Sequence, residues 1–272
     1  MFTELIIETP EENVELLIAE LADLGFESFV ENENALQAYI ASDIFDDQSV
    51  KELQNQYEFT YTYQHLQKVN WNEEWEKNYQ PVEIIDKVRI RAVFHEPNPN
   101  FTYEILITPK MSFGTGHHET TSLMVEHQLG ISHQNKTVLD AGCGTGVLAI
   151  MAHFLGANDI EAFDNDDWAV ENTQENIELN QCSHIKAYLG TIETVDTNRK
   201  FDIILANINR NVLLNDIPSY ASLLVKDGYL LLSGFYEVDI DDILAVAQTS
   251  GLELVSKKSK NNWVSLVCKK NN

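Results

Sequence analysis

Apolar positions along the first 66 residues switch between two periods. Phe2–Glu8 (FTELIIE) is a short β-favouring run that predicts a strand. From Pro10 onward, Val14, Leu17, Ile18, Leu21 and Leu24 recur at the spacing of one helical face, and Gly25 supplies a stop. Phe26–Glu31 and Ala35–Ala41 return to strand texture around the turn-like Asn32-Glu33-Asn34. Asp46–Tyr57 then predicts a second helix and Phe59–Tyr63 a last strand. The order βαββαβ is the split βαβ, or ferredoxin-like, pattern, which names no function by itself.

Residues 67–110 differ in texture. Trp71, Trp75, Tyr79 and Pro81 fall in a short aromatic, helix-prone segment, and Val88–Val93 and Tyr103–Thr108 predict strands flanking the turn-rich Glu96–Asn100. This stretch reads as a connector plus the edge of the next domain, its aromatics packing between domains. From about residue 119 the pattern becomes regular α/β. Helix Glu119–Leu129 leads to strand Thr137–Ala141, helix Val147–Leu155, strand Ile160–Asp164, helix Trp168–Asn180 and strand Ile185–Leu189. Strand Phe201–Ala206, helix Asn211–Leu224, strand Tyr229–Gly234, helix Asp239–Thr249 and strands Leu252–Lys257 and Trp263–Cys268 complete it. Alternating strands and helices predict a parallel, doubly wound sheet. The short turn Ser259–Asn262 cannot make a parallel crossover, so the last two strands are expected to form an antiparallel hairpin. Three segments result: an acidic ferredoxin-like domain over 1–66, a linker and domain edge over 67–110, and an α/β domain over 111–272.

Charge sharpens that division. The 272 residues carry 18 Lys+Arg against 43 Asp+Glu, a formal net charge of −25. Residues 1–66 hold fifteen acidic side chains and one basic one, Lys51. Such a surface argues against direct nucleic-acid binding and against docking on an anionic membrane, and it suits a basic protein partner. Composition alone leaves solubility and recognition as equal readings of the acidic domain. The three cysteines (Cys143, Cys182, Cys268) lack zinc spacing, and the N-terminus lacks a basic stretch followed by an apolar one. A reduced, cytoplasmic protein is expected.

The sharpest motif is Val138-Leu139-Asp140-Ala141-Gly142-Cys143-Gly144-Thr145-Gly146, which follows a strand and opens a helix. Glycines permit a tight turn and a close approach of backbone to ligand, beside the free N–H groups of a helix start. The spacing is G-x-G-x-G; Val147 stands where a dinucleotide fingerprint places its third glycine, and no Gly-Lys-Ser/Thr makes a Walker A loop. Asp164 ends the next strand, where a carboxylate can accept two hydrogen bonds from a ribose diol. The run Asp164, Asp166, Asp167 lacks the glycine and glutamate of an EF-hand. Adjacent His117-His118-Glu119 do not make a metal site, and no metal is expected. Cys143 reads as a small buried hydrophobe.

The glycine loop with the acid ending the following strand resembles the class I S-adenosylmethionine-dependent methyltransferases. That resemblance implies a sheet ordered 3-2-1-4-5-7-6 with the last strand antiparallel. Phe113-Gly114-Thr115-Gly116-His117-His118-Glu119-Thr120-Thr121 ahead of the loop is similar to the ribosomal protein methyltransferase family PrmA. So are Ala206-Asn207-Ile208, Trp71 and Trp75, Trp263, and the small ferredoxin-like N-terminal domain. The resemblance implies methylation of lysine and N-terminal amino groups of large-subunit ribosomal protein L-eleven, by a monomer. It implies cofactor contacts at Thr121, Gly142, Asp164 and Asn207, with Gly144 in the same loop. Phe113–His118 is expected to form a flap hinged at Gly114 and Gly116, Phe113 and Gly114 touching the cofactor and His118 orienting a reactant. Asn207 is placed beside the transferring methyl. Asn209-Arg210-Asn211 departs from the small residues and proline of many relatives, which bears on the shape of the acceptor pocket. Methylation of a small molecule or of a glutamine is the competing enzyme reading, although Asn207-Ile208-Asn209-Arg210 is unlike the Asn-Pro-Pro-Tyr that accompanies glutamine. A non-catalytic module that binds the cofactor or the ribosomal protein is a third.

Overall fold

The computed structural model describes residues 2–10, 13–32, 35–57, 59–66, 79–109 and 119–271. Trp71, Trp75 and the whole of Phe113–His118 lie outside them. The chain divides into two compact units, residues 1–79 and 80–272.

In the first unit β1 (Phe2–Glu8), α1 (Val14–Asp23), β2 (Ser28–Asn32), β3 (Ala35–Ala41), α2 (Asp47–Tyr57) and β4 (Thr60–Leu66) follow one another. They form an antiparallel sheet ordered β2-β3-β1-β4. Leu5 and Ile7, two apart on β1, share a core with Leu17 and Leu21 of α1 and with Leu36 and Ile40 of β3. The end of α1 departs from the sequence reading, which put Leu24 on the buried face. Leu24 is the C-cap and 36% exposed. Gly25 turns the chain at φ +95°, its N–H donates to Ala22 O, and the Phe26 N–H donates to Leu21 O. This Schellman turn drives Phe26 into the core and delays β2 to Ser28. At the other helix, Asp46 accepts from the N–H groups of Gln48 and Ser49, each at 3.1 Å, and so caps α2.

The second unit opens with β5 (Val82–Ile84), β6 (Val88–Ala92) and β7 (Tyr103–Ile107). β6 and β7 are parallel, so the Glu96–Asn100 turns belong to a crossover rather than a hairpin. After α3 (Glu119–Gln128) come β8 (Thr137–Ala141), α4 (Val147–Phe154), β9 (Asp159–Asp164), α5 (Asp167–Leu179) and β10 (Ile185–Leu189). Then come β11 (Phe201–Asn207), α6 (Arg210–Leu223), β12 (Leu224–Tyr236), α7 (Ile240–Thr249), β13 (Leu252–Lys260) and β14 (Trp263–Lys270). The sheet runs β10-β9-β8-β11-β12-β14-β13, with β14 antiparallel to both neighbours. This is the α/β architecture of class I methyltransferases.

Strand β11 is apolar on both faces because both are covered. Leu205 packs with the cluster that includes α4, and Ile204 with the cluster that includes α6 and α7. The final hairpin turns on Asn261 and Asn262 alone, both at positive φ, which asparagine tolerates. The turn is thus shorter than the predicted Ser259–Asn262. Among the described residues no helix is long and apolar enough to cross a membrane.

Candidate active site

Ligands of open α/β sheets collect beyond the carboxyl ends of the strands. There the loops after β8, β9, β10 and β11, with Gly234 of β12 and Trp263 of β14, surround a cavity of about 660 Å³. That is within the ~300–1,000 Å³ usual for small-molecule sites. Gly142, Gly144, Asp164 and Asn207, far apart in sequence, all line it. Thr121 is not among the lining residues; it is fully buried in α3, and its hydroxyl has no hydrogen-bond partner. Phe113, Gly114 and His118 lie outside the described residues.

The glycine loop is held from two sides. Asp164 Oδ2 accepts from the Gly144 N–H at 2.9 Å and Oδ1 from the Asp166 N–H at 3.1 Å. Each oxygen keeps acceptor capacity for a ligand hydroxyl. From α5, the Thr173 hydroxyl donates to Gly144 O at 2.8 Å and Asn176 Nδ2 to Thr145 O at 2.8 Å. Asn172, Asn176 and Asn180 stand four residues apart and also bind the backbone at Leu106 and Thr108, so one asparagine ladder joins β7 to the loop. Nothing in the glycine motif announces this support. The four-residue asparagine spacing in Trp168–Asn180 was its available signal.

Two glycines confine the segment after β11. Gly142 (φ +72°) and Gly234 (φ +97°) approach Ile208 from β8 and β12. A Cβ on Gly142 would collide with Ile208 Cγ2, and one on Gly234 with the Ile208 carbonyl oxygen. Ile208 is thereby fixed, and with it Asn207, whose Oδ1 is buried without a partner. Asn209 caps α6 by accepting from the Val212 N–H at 3.2 Å, so the departure from proline here still starts a helix. Gly234 was missed as a site residue, as were Ile192, Glu193 and the α6 face Val212, Asp216, Tyr220. Trp263 lines the cavity and packs on Tyr236, ring centres 4.0 Å apart.

Under the loop, Asp140 is entirely enclosed. Its Oδ2 accepts from the Ala149 N–H at 3.0 Å, and Oδ1 has no partner. Burial pushes the carboxyl up to about 7, against the Ala149 hydrogen bond and helped by the negative Asp164. A raised folded-state value means stability present below the ordinary carboxylate range and lost as pH rises through about 7. Asp140→Asn is therefore expected to gain on the parent in thermal melts as pH rises from about 4 to about 7, and to hold that gain above. Parallel pH profiles for the two proteins would remove Asp140 from this role. Burial likewise raises the Cys143 thiol, whose sulfur lies 3.4 Å from the Thr173 hydroxyl oxygen. This leaves it an inert packing group.

The donor set suits a cationic nucleoside: paired carboxylate acceptors at Asp164, a neutral amide with an orphaned oxygen at Asn207, and bare backbone at Gly142. Asp164→Ala is expected to weaken cofactor binding by roughly 10- to 100-fold, the scale of hydrogen bonds to a charged group. Titration calorimetry giving the parent affinity would exclude Asp164 from the site. Among the described residues no cluster of His, Cys, Asp and Glu is arranged to hold a metal ion.

The family model described as ribosomal protein L11 methyltransferase (PrmA) matches residues 2–271. A ribosomal protein L11 methyltransferase of Porphyromonas gingivalis is 45% identical over 271 residues, covering 97% of this chain and 92% of that protein. One from Phocaeicola vulgatus is 44% identical over 262 residues, covering 94% and 93%. The solved ribosomal protein L11 methylase of Lactobacillus delbrueckii subsp. bulgaricus superimposes with a TM-score of 0.66 at 28% identity, covering 71% of this chain and 99% of that one. A glycine loop, a strand-ending acid and an asparagine that closes the fourth strand of the sheet thus stand in a chain matched from end to end, and the protein belongs to the ribosomal protein L11 methyltransferase (PrmA) family.

Proposed function

We propose that this methyltransferase moves methyl groups from S-adenosylmethionine to lysine ε-amino groups, the N-terminal α-amino group, or both, of ribosomal protein L11. The carrying observation is the family match across both units, since the relatives are named for that substrate. When bound, the cofactor supplies an electrophilic methyl on a sulfonium, so little acid–base machinery is needed. Asp164 holds the ribose hydroxyls, and Gly142 and Gly144 let the backbone approach the amino-acid end.

The acceptor must arrive as a neutral amine. A lysine at its ordinary pKa of ~10.4 is about 99.9% protonated at pH 7. Partial burial beside Asn207 favours the uncharged form, and Asn207 Oδ1 accepts an N–H, turning the nitrogen lone pair toward the methyl. Proximity and orientation supply the rate. In the same proposal, the segment Phe113–His118 closes over the cofactor, with His118 orienting a reactant and Thr121 supporting from α3.

The acidic segment 1–66 recognises the basic substrate. Opposite charge speeds and orients encounter, which suits capture of a free ribosomal protein in the cytoplasm by a monomer that binds neither nucleic acid nor membrane. Mass spectrometry of purified L11 after incubation with S-adenosylmethionine tests the proposal. Mass added in methyl steps at lysines or the α-amine is the expected result. Cofactor binding with no added mass would leave a binding module instead.

A further inference from the structure

The α6 face that lines the cavity carries a carboxylate the methyl-transfer reading does not use. Val212, Asp216 and Tyr220 stand four residues apart and descend from rim to floor: 39%, 7% and 0% exposed. Asp216 Oδ1 accepts from Asn215 Nδ2 at 2.7 Å, and Oδ2 from the Tyr220 hydroxyl at 3.4 Å. Burial and the negative Asp216 push the Tyr220 hydroxyl upward, so it stays protonated and donates. A carboxylate has about four acceptor positions, so Asp216, which lines the cavity, retains acceptor capacity for a ligand there.

Position decides which ligand part meets it. Gly142 follows β8, Asp164 ends β9, and Gly190–Glu193 follows β10, three neighbouring strands in that order. A nucleoside with its ribose at Asp164 and its amino-acid end at Gly142 extends its base toward the Ile192–Thr194 turn. α6 packs against that turn, and Ile192 and Val212 both line the cavity there. The reacting amine is a poor alternative, because a buried carboxylate against it would hold it as ammonium and block transfer. A purine amino group is neutral and offers N–H donors without that penalty.

We infer that Asp216, positioned by Tyr220 and Asn215, accepts a hydrogen bond from the exocyclic 6-amino group of the cofactor's adenine and so selects a 6-amino over a 6-oxo purine. The inference rests on the nucleoside reading above. Its test is calorimetry with two probes, S-adenosylhomocysteine and S-inosylhomocysteine, whose 6-oxo group presents an acceptor to the carboxylate. The parent protein is expected to prefer the adenosyl probe by roughly 10- to 100-fold. Asp216→Asn keeps the shape and offers a donor as well as an acceptor, so that preference should fall to a few-fold or less. Tyr220→Phe, which leaves the carboxylate in place but less firmly held, should narrow the preference partially, an effect that loss of stability alone would not produce. An unchanged preference in Asp216→Asn overturns the inference, as does a change confined to the KM for the protein acceptor. Failure of the parent to bind either probe overturns the nucleoside reading itself.

Discussion

Gly234→Ala is expected to lower kcat for methyl transfer by about 100-fold, the scale on which a displacement of about 1 Å penalises a reaction that depends on orientation. Gly234 sits at φ +97°, where a side chain is strained, and its added Cβ would fall on the Ile208 carbonyl oxygen. The obstacle is backbone, which cannot rotate aside as a flexible side chain can. Gly142 blocks retreat on the far side, where Ile208 Cγ2 already occupies the space a Cβ would need. The segment must therefore shift along the strand direction, and Asn207 moves with it. The strain alone costs about 1–3 kcal/mol, so a lower Tm should accompany the loss. Steady-state kinetics on folded protein distinguishes the two effects. A kcat within a few-fold of the parent would mean that the fixed position of Ile208 is irrelevant to catalysis.

Removal of residues 1–66 should abolish methylation of the ribosomal protein while leaving cofactor affinity within about threefold of the parent. The second unit carries its own core on both faces of the seven-stranded sheet, and every described residue lining the cavity belongs to it. The first unit has a separate core and carries most of the excess negative charge. Loss of recognition should therefore appear in transfer to protein and not in calorimetry with S-adenosylhomocysteine. A truncated enzyme that still methylated the ribosomal protein at the full rate would falsify the recognition role.

The alternation of strand and helix signals was legible because each element carries its period locally. The α/β unit follows from it, as does the antiparallel end of its sheet, because a short turn cannot cross over. The glycine loop and Asp164 were legible for the same local reason: a tight turn after a strand and an acid at the end of the next each have a sequence signature. Boundaries suffered where a cap outweighed periodicity. Leu24 fits the helical face by spacing, yet the Gly25 turn expelled it and buried Phe26.

By itself the sequence determined the order of the elements, the family, and the residues whose chemistry suits a nucleoside and an amine, all of which depend on neighbours along the chain. Only the tertiary structure decided what closes around them. Gly234 matters because Ile208 lies against it, Asn172, Asn176 and Asn180 because β7 passes beside α5, and Asp216 because its helix packs on the Ile192–Thr194 turn. Each is a contact between strands or helices distant in sequence. A side chain's local pattern is the same whether such a neighbour is present or not, so only the packed sheet could reveal it.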